Sequence, residues 1–200
     1  MDREQVNGAN EPVVDDGGDE SKERNQWHGA FYEALRLELH DYRDVLHFEK
    51  EYRLSREALK MDVLVIKKDR DAVIDKNIGR VFRTHNVFEY KSEDDWLSVF
   101  DYNKVIGYAL IYSAFSEVHV GDMTVSFVVT RHPRKLVKHL RTVRGLKALP
   151  VSDGMYYVVG DVLPVQILER GRLPESENLF LRSMRSGLGL DDARRSLTDV

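Results

Sequence analysis

Apolar positions along this chain alternate between the spacing of helices and the spacing of strands. Residues 26–46 predict an amphipathic helix. Phe31, Leu35 and Leu39 recur on one helical stripe of this segment, and charged residues occupy most other positions. Glu38 falls inside the apolar stripe, which is an unusual place for a carboxylate. The first predicted element therefore carries a polar residue that its pattern does not explain.

Three strand patterns follow this helix. They are HFEKEYRL (47–54), which alternates like an edge strand, KMDVLVIKK (60–68), which has the β-branched composition of a central strand, and NVFEYKS (86–92), which has the composition of a buried strand. In the second of them, Asp62 shares a face with Leu64 and Ile66. Residues 69–85 are polar and charged, and they predict a long hairpin excursion or a small helix.

The second half of the chain continues the alternation. Residues 96–115 predict a buried helix, and residues 132–146 predict another, with Pro133 in its first turn and Gly145 near its end. Further strands are predicted at 123–130, 155–160 and 163–170, followed by a helix at 175–189. This order predicts an α/β protein with a mixed central sheet that is flanked by helices and partly antiparallel at its start.

The strand pattern NVFEYKS places two charged residues on one face. Because side chains alternate along a strand, Glu89 and Lys91 share a face with Val87, while Phe88 and Tyr90 point to the other. An exposed ion pair of this kind contributes roughly 0 to 1 kcal/mol and would be a surface feature. The alternative is that the pair belongs to an active site.

Composition and charge limit the classes of protein. The 200 residues, 42% of them hydrophobic, suffice for one domain with a substantial core. Cysteine is absent, so any metal would be held by oxygen or imidazole. Residues 1–24 contain eight acidic and three basic residues and little to bury, which predicts a disordered acidic tail. We expect one nearly neutral folded domain over 25–185 and a frayed end over 186–200.

Hydropathy gives no indication of a membrane segment. Residues 1–24 contain no apolar run that resembles a signal peptide. The longest weakly polar run, VIGYALIY (105–112), is far too short to span a bilayer. We therefore expect a soluble, cytoplasmic protein that has no membrane partner.

Several charged residues stand where the local pattern predicts apolar ones. Glu38 lies on the first helix, Asp62 on the second strand, and Glu89 and Lys91 on the third. Hydrolysis of a phosphodiester near neutral pH uses divalent cations, and hard ions such as Mg²⁺ bind carboxylates, backbone carbonyls and water. Carboxylates on neighbouring strands together with one ammonium are typical of such a site.

This ordered set resembles the PD-(D/E)XK, or restriction-endonuclease-like, nuclease superfamily, whose core is αβββαβ. The stretches WHGAFYEALRLEL, KMDVLVIKK, IGRVFRTHNVFEYKS and DYNKVIGYALIY are similar to a bacterial branch of it, over roughly residues 26–170. The resemblance implies that Asp62, Glu89 and the backbone carbonyl of Tyr90 bind Mg²⁺ or Mn²⁺. Lys91 would position the attacking water or stabilise the transition state.

The same resemblance implies accessory residues and a substrate. Glu38 would assist catalysis, or Glu33 if the helix is rotated. The RecB-like branch often has Gln-x-x-x-Tyr on the second core helix, where this chain has Lys104 and Tyr108. The implied function is metal-dependent hydrolysis of nucleic acid, DNA above all, and double-strand cutters of this fold often work as homodimers.

A basic segment supports a nucleic-acid partner. Residues 131–147 contain seven Arg or Lys, two His and no acid. They predict an amphipathic helix with a cationic face, and its candidate phosphate-binding residues are Arg131, Arg134, Lys135, Lys138 and Arg141. Two other interpretations remain open. The chain could be a nuclease-fold module that binds nucleic acid or protein without cutting, or a purely structural α/β protein.

Overall fold

The computed structural model describes residues 29–49 and 64–184, which form a seven-stranded mixed sheet with helices on both faces. The helices in these residues are α1 (29–38), α2 (Val99–Ser116), α3 (Arg134–Val143) and α4 (Leu179–Ser183). The strands are β1 (Leu46–Glu49), β2 (Leu64–Lys68), β3 (His85–Lys91), β4 (Met123–Val129), β5 (Lys147–Ser152), β6 (Met155–Val159) and β7 (Val165–Glu169). The predictions made for residues 1–28, 50–63 and 185–200, including the start of the first helix and Asp62, lie outside the described residues.

The strand order in the sheet is β1-β2-β3-β4-β7-β6-β5. β1, β2 and β3 pair in antiparallel fashion, whereas β3, β4 and β7 are mutually parallel, and β6 and β5 follow in antiparallel fashion. The predicted α/β class with a sheet that begins antiparallel is thereby confirmed. β5 was not predicted from the sequence, and it contains Pro150, a residue that is unusual in central strands. The strand lies at the sheet edge, where proline is tolerated.

A capping box formed by Ser98 and Asp101 marks the start of α2. The backbone N–H of Asp101 donates to Ser98 Oγ at 3.1 Å, and the backbone N–H of Ser98 donates to Asp101 Oδ2 at 3.0 Å. This capping box satisfies two N–H groups that the first turn leaves unpaired. It sets the start of the helix at Val99, three residues after the predicted start, and fixes the position of the Asp101 carboxylate.

The two faces of the sheet pack against different helices. Val87 lies in a core formed with α2 and α3, whereas Phe88 lies in a second core formed with α1 and α4. Because Glu89 follows the same alternation as Val87, it lies on the face that α2 covers. The alternation predicted for β3 is confirmed.

The predicted excursion at 69–85 connects the antiparallel strands β2 and β3 and contains a short 3-10 helix, Asn77–Gly79. Buried side chains fix it to the sheet: Gln166 Nε2 donates to the Ile78 carbonyl at 2.9 Å, and Asn86 Nδ2 donates to the Arg83 carbonyl at 2.7 Å. No helix in the described ranges has the length and apolar character needed to cross a bilayer.

Candidate functional site

The candidate site lies near the carboxyl end of β3. In the parallel ladder, Glu89 pairs with Phe127 of β4 and Lys91 pairs with Val129. Both charged residues are buried, at 7% and 6% exposure respectively. In α/β sheets, ligands bind beyond the carboxyl ends of parallel strands, and β3, β4 and β7 supply three such ends side by side. This pair therefore differs from an exposed ion pair in both burial and position.

The ammonium of Lys91 is the centre of an ionic cluster. Lys91 Nζ donates to Asp101 Oδ1 at 2.9 Å and to Asp95 Oδ2 at 3.1 Å, and it lies 3.5 Å from Glu89 Oε1. Burial disfavours the charged amine. The hydrogen bond that Lys91 donates to Asp101 and the negative charges of Glu89 and Asp95 outweigh that effect and raise the pKa of Lys91. Lys91 is therefore a fixed cation at neutral pH.

The charged form of the Glu89 carboxyl group, unlike that of Lys91, is disfavoured by its surroundings. Burial raises its pKa to about 7, although Lys91 and Lys104 act to lower it. Glu89 is thus a carboxylate whose charge is incompletely compensated by the groups around it. Near neutral pH, its charge state responds to any additional positive charge that binds beside it.

Asp101 and Asp95 are the site residues that the sequence analysis missed. Burial raises the pKa of Asp101, but hydrogen bonds from Ser98 and Lys91 outweigh burial and lower it overall. The pattern S-x-x-D at Ser98 was a detectable signal, because it marks a helix start and fixes where that aspartate lies. Asp95 belongs to the acidic run EDD, where nothing distinguishes it from a solvated loop residue.

Of the two predicted accessory residues of α2, Lys104 acts on Glu89 through its charge. Its positive charge lowers the pKa of the Glu89 carboxyl, against the larger effect of burial, which raises that pKa. Lys104 Nζ lies 5.9 Å from the centroid of the Tyr108 ring. Lys104 is exposed, so it is available to a ligand that approaches Glu89 from solvent.

Tyr90 and Glu38 lie on the other face of the sheet. The Tyr90 ring stacks on Phe31 of α1, with centroids 4.9 Å apart and an interplanar angle of 21°. The Glu38 carboxylate bonds Lys76 Nζ at 2.6 Å and accepts the Leu181 N–H at 3.0 Å. Among the described residues no contact joins Glu38 to Glu89 or Lys91. The structure therefore gives Glu38 a packing role, because α1 covers the Phe88 face and not the Glu89 face.

The alternative helix carboxylate, Glu33, also lies on α1. Its Oε1 is 3.8 Å from Arg36 Nη1, and its side chain is 29% exposed. This is a surface pair one helical turn apart. Glu33 is therefore not brought to the Glu89 face by any described contact.

The donor set near Lys91 suits a hard cation only in part. All the donors are carboxylate oxygens, which Mg²⁺ and Mn²⁺ prefer, but Asp95 and Asp101 already bond Lys91. Among residues 29–49 and 64–184, no three His, Asp or Glu side chains are grouped closely enough to hold a metal. A complete ligand set would need a further carboxylate, and the resemblance assigns Asp62 to that position.

The described end of β2 limits how Asp62 could contribute. Leu64 pairs with Phe88 and Ile66 pairs with Asn86, so both lie on the face opposite Glu89. Strand alternation predicts that Asp62 shares a face with these two residues. A site that combines Asp62 with Glu89 would therefore require the alternation to break before Leu64.

The basic segment forms a solvent-facing helix. Leu136 and Leu140 of α3 are buried, while the predicted phosphate-binding residues Arg131, Arg134, Lys135, Lys138 and Arg141 are all exposed. Arg144 is committed elsewhere, since its Nη2 lies 2.9 Å from Asp161 Oδ1. None of the five predicted cations forms an ion pair with another residue in the described part of the chain. Their charges are available to an external anion.

Glu89→Gln is expected to stabilise the protein at alkaline pH when metal is absent. The pKa of Glu89 is about 7 in the folded protein, compared with an ordinary value of 4.5. Below pH 4.5 the side chain is neutral in both the folded and the unfolded state, so its contribution to stability is fully present. That stability is lost as pH rises through the higher value. Gln is neutral throughout, so the variant should gain up to about 3 kcal/mol over wild type. Urea unfolding in EDTA at about pH 5 and about pH 8 measures the difference. If the free energies of unfolding of variant and wild type differed equally at both pH values, the expectation would be wrong.

Comparison with known proteins adds no identification. No protein-family model matches the chain, and no curated protein or solved structure matches it either.

Proposed function

We propose that this chain hydrolyses phosphodiester bonds of nucleic acid, DNA in the first place, with Mg²⁺ or Mn²⁺ as cofactor. The observation that carries the proposal is the buried pair of Glu89 and Lys91 near the carboxyl end of β3, with Lys91 held by Asp101. Burying two opposite charges costs more free energy than an exposed pair, so the arrangement favours a functional role over a surface role.

The element order supports the resemblance to the PD-(D/E)XK superfamily. The described elements run α1, β1, β2, β3, α2, β4, which is the αβββαβ order of that core. The Glu-x-Lys motif lies on the third strand, and α2 follows it directly. The position of this short motif on the third strand of the matching element order supports the resemblance beyond the motif itself.

Each site residue would have a separate role in the reaction. Glu89 and the Tyr90 carbonyl would hold the metal together with Asp62. A bound Mg²⁺ would neutralise charge that develops on the phosphate. Its charge would also keep Glu89 ionised, although burial alone raises the pKa of that carboxyl to about 7. Lys91 would donate hydrogen bonds to the attacking water or to a phosphate oxygen.

Asp101 and Asp95 would act through Lys91. Both accept hydrogen bonds from the Lys91 ammonium, and Asp101 is itself fixed by the capping box of α2. Their contacts restrict the rotamers of a long side chain that would otherwise be mobile. We therefore assign Asp101 as a positioning residue, whereas Lys91 is the group that would touch substrate.

A metal titration combined with a cleavage assay tests the proposal. Wild type should release heat on addition of Mn²⁺, and Glu89→Gln and Asp62→Asn should each weaken that binding at least about tenfold. Wild type should cleave labelled DNA or RNA in Mg²⁺ or Mn²⁺ and stop in EDTA. Mn²⁺ binding that is unchanged in both variants would reject the assigned ligands, and activity that persists in EDTA would reject the metal requirement.

A module that binds without cutting is the second candidate. The observation in its favour is that the Lys91 ammonium already contacts three carboxylates. A lysine so engaged would have to release at least one of them to reach substrate. Absence of cleavage on every DNA and RNA form, with retained binding of oligonucleotides, would favour this candidate over hydrolysis.

A further inference from the structure

Two large aromatic side chains are exposed on either side of the α2 cap. Trp96 is 60% exposed and Phe100 is 84% exposed. Each is the immediate sequence neighbour of a carboxylate that bonds Lys91, since Trp96 follows Asp95 and Phe100 precedes Asp101. Both aromatic residues are therefore next in sequence to residues of the candidate site.

Packing does not explain why aromatic residues stand here. The apolar residues of the same segment that serve the core are Leu97 and Tyr102, at 6% and 0% exposure. Trp96 and Phe100 leave most of their surface in water, where such rings lose the free energy that burial would give. An exposed aromatic pair beside a site indicates a surface that is covered when a ligand binds.

A cation accompanies one of the rings. The Arg131 guanidinium lies 5.4 Å from the centroid of the Trp96 ring, within the range of a cation–π contact. Trp96, Asp95 and Arg131 line one pocket, and this pocket reaches Val129, the β4 residue that pairs with Lys91. The exposed cations of α3 begin three residues after Arg131. The exposed Trp96 ring therefore lies beside Arg131, which is followed along the chain by the exposed cations of α3.

We propose that Trp96 and Phe100 stack on unpaired bases, and that Arg131 and α3 bind the adjoining phosphates, so that the ligand is a single-stranded nucleic acid. Base–aromatic stacking beside a positively charged groove is the common mode of single-strand binding. In a duplex, base faces are covered by neighbouring pairs, so exposed rings at a cleft have no face to contact. The inference rests on the proposed function for the chemistry, but the binding can be measured without cleavage.

Oligonucleotide binding by the full chain tests the inference. Fluorescence anisotropy in EDTA compares labelled oligo-dT and oligo-U with a duplex of equal length. Single strands should bind at least about fivefold more tightly than the duplex. Trp96→Ala and Phe100→Ala should each weaken single-strand binding at least about fivefold and change duplex binding little. A Trp27→Phe background leaves Trp96 as the remaining tryptophan, whose fluorescence should be quenched by oligo-dT.

Phe115 provides a matched control. It is 67% exposed and lies near the opposite end of the same helix, so Phe115→Ala removes an exposed ring of the same kind away from the site. Its binding constant should stay within about twofold of wild type. Equal losses in Phe115→Ala and Phe100→Ala would overturn the inference, because they would indicate a general effect on the helix.

Three other outcomes would also overturn the inference: tighter binding of the duplex, unchanged single-strand binding in both Trp96→Ala and Phe100→Ala, and no binding of any oligonucleotide. The last would favour a protein partner for the aromatic surface. Failure of the proposed hydrolysis is distinguishable. If wild type cleaves nothing in Mg²⁺ or Mn²⁺ while Trp96→Ala loses single-strand binding, the stacking surface stands and the hydrolysis does not.

Discussion

Lys91→Met should lower the rate of nucleic-acid cleavage by the folded protein about 100- to 1,000-fold. Removal of one preorganised donor to a developing negative charge costs this much in other hydrolytic sites. Met fills the space of the aliphatic chain but supplies no hydrogen bond, so Asp101 and Asp95 lose a cation that now lies 2.9 and 3.1 Å away. Single-turnover cleavage at saturating Mg²⁺ measures the loss, since it separates chemistry from product release.

Lys67→Met is the matched control for this prediction. Lys67 lies on the neighbouring strand β2, pairs with His85 at the opposite end of β3, and forms an ion pair with Glu49 at 2.6 Å. It is a strand lysine in an ion pair, but it is remote from Glu89 along β3. Its variant should cleave at the wild-type rate. A Lys91→Met enzyme with wild-type turnover, or equal losses in both variants, would remove Lys91 from the mechanism.

The sequence was sufficient to predict the strand that carries the site. Alternation along residues 86–92 placed Glu89 and Lys91 on one face and Tyr90 on the other, and β3 has this arrangement. The period of a strand is two residues, so the face of each side chain follows from local sequence. Burial was not predictable in the same way, because it depends on which helix covers that face.

The partners of Lys91 could not be predicted from periodicity. The capping box holds Asp101 at the amino end of α2, and its Oδ1 accepts a hydrogen bond from Lys91 Nζ of β3 at 2.9 Å. Its role arises from a hydrogen-bond pattern at a helix start and a tertiary contact ten residues away. A carboxylate at a helix cap has no place in a pattern of carboxylates on neighbouring strands.

The contrast with Glu38 shows where helical periodicity fails. A glutamate on the apolar stripe of a helix has the same pattern whether it faces an active site or a buried lysine. The distinction depends on Lys76, which lies in the excursion between β2 and β3 that buried polar groups fix to the sheet. The path of such an excursion depends on long-range contacts and not on the local spacing of apolar residues. The prediction of a helix at 26–46 therefore did not fix the partner of its carboxylate.

Glu38→Ala should destabilise the protein by about 3 to 5 kcal/mol, because it breaks a buried ion pair by removing one partner. The Glu38 side chain is 1% exposed, and its loss leaves Lys76 and the Leu181 N–H, in the first turn of α4, without their acceptor. Urea unfolding at neutral pH measures the change, and Lys76→Met combined with Glu38→Ala in a double-mutant cycle isolates the pair.

Glu33→Ala is the control on the same helix for this last prediction. Its partner Arg36 is 54% exposed and the charged atoms are 3.8 Å apart, so the variant should lose less than about 1 kcal/mol. The cleavage rate of the Glu38 variant, measured where it remains folded, then separates packing from catalysis. A large loss of turnover without a loss of stability would return Glu38 to the catalytic set. A loss of stability with normal turnover would establish that α1 holds the Phe88 face of the sheet while the chemistry belongs to the Glu89 face.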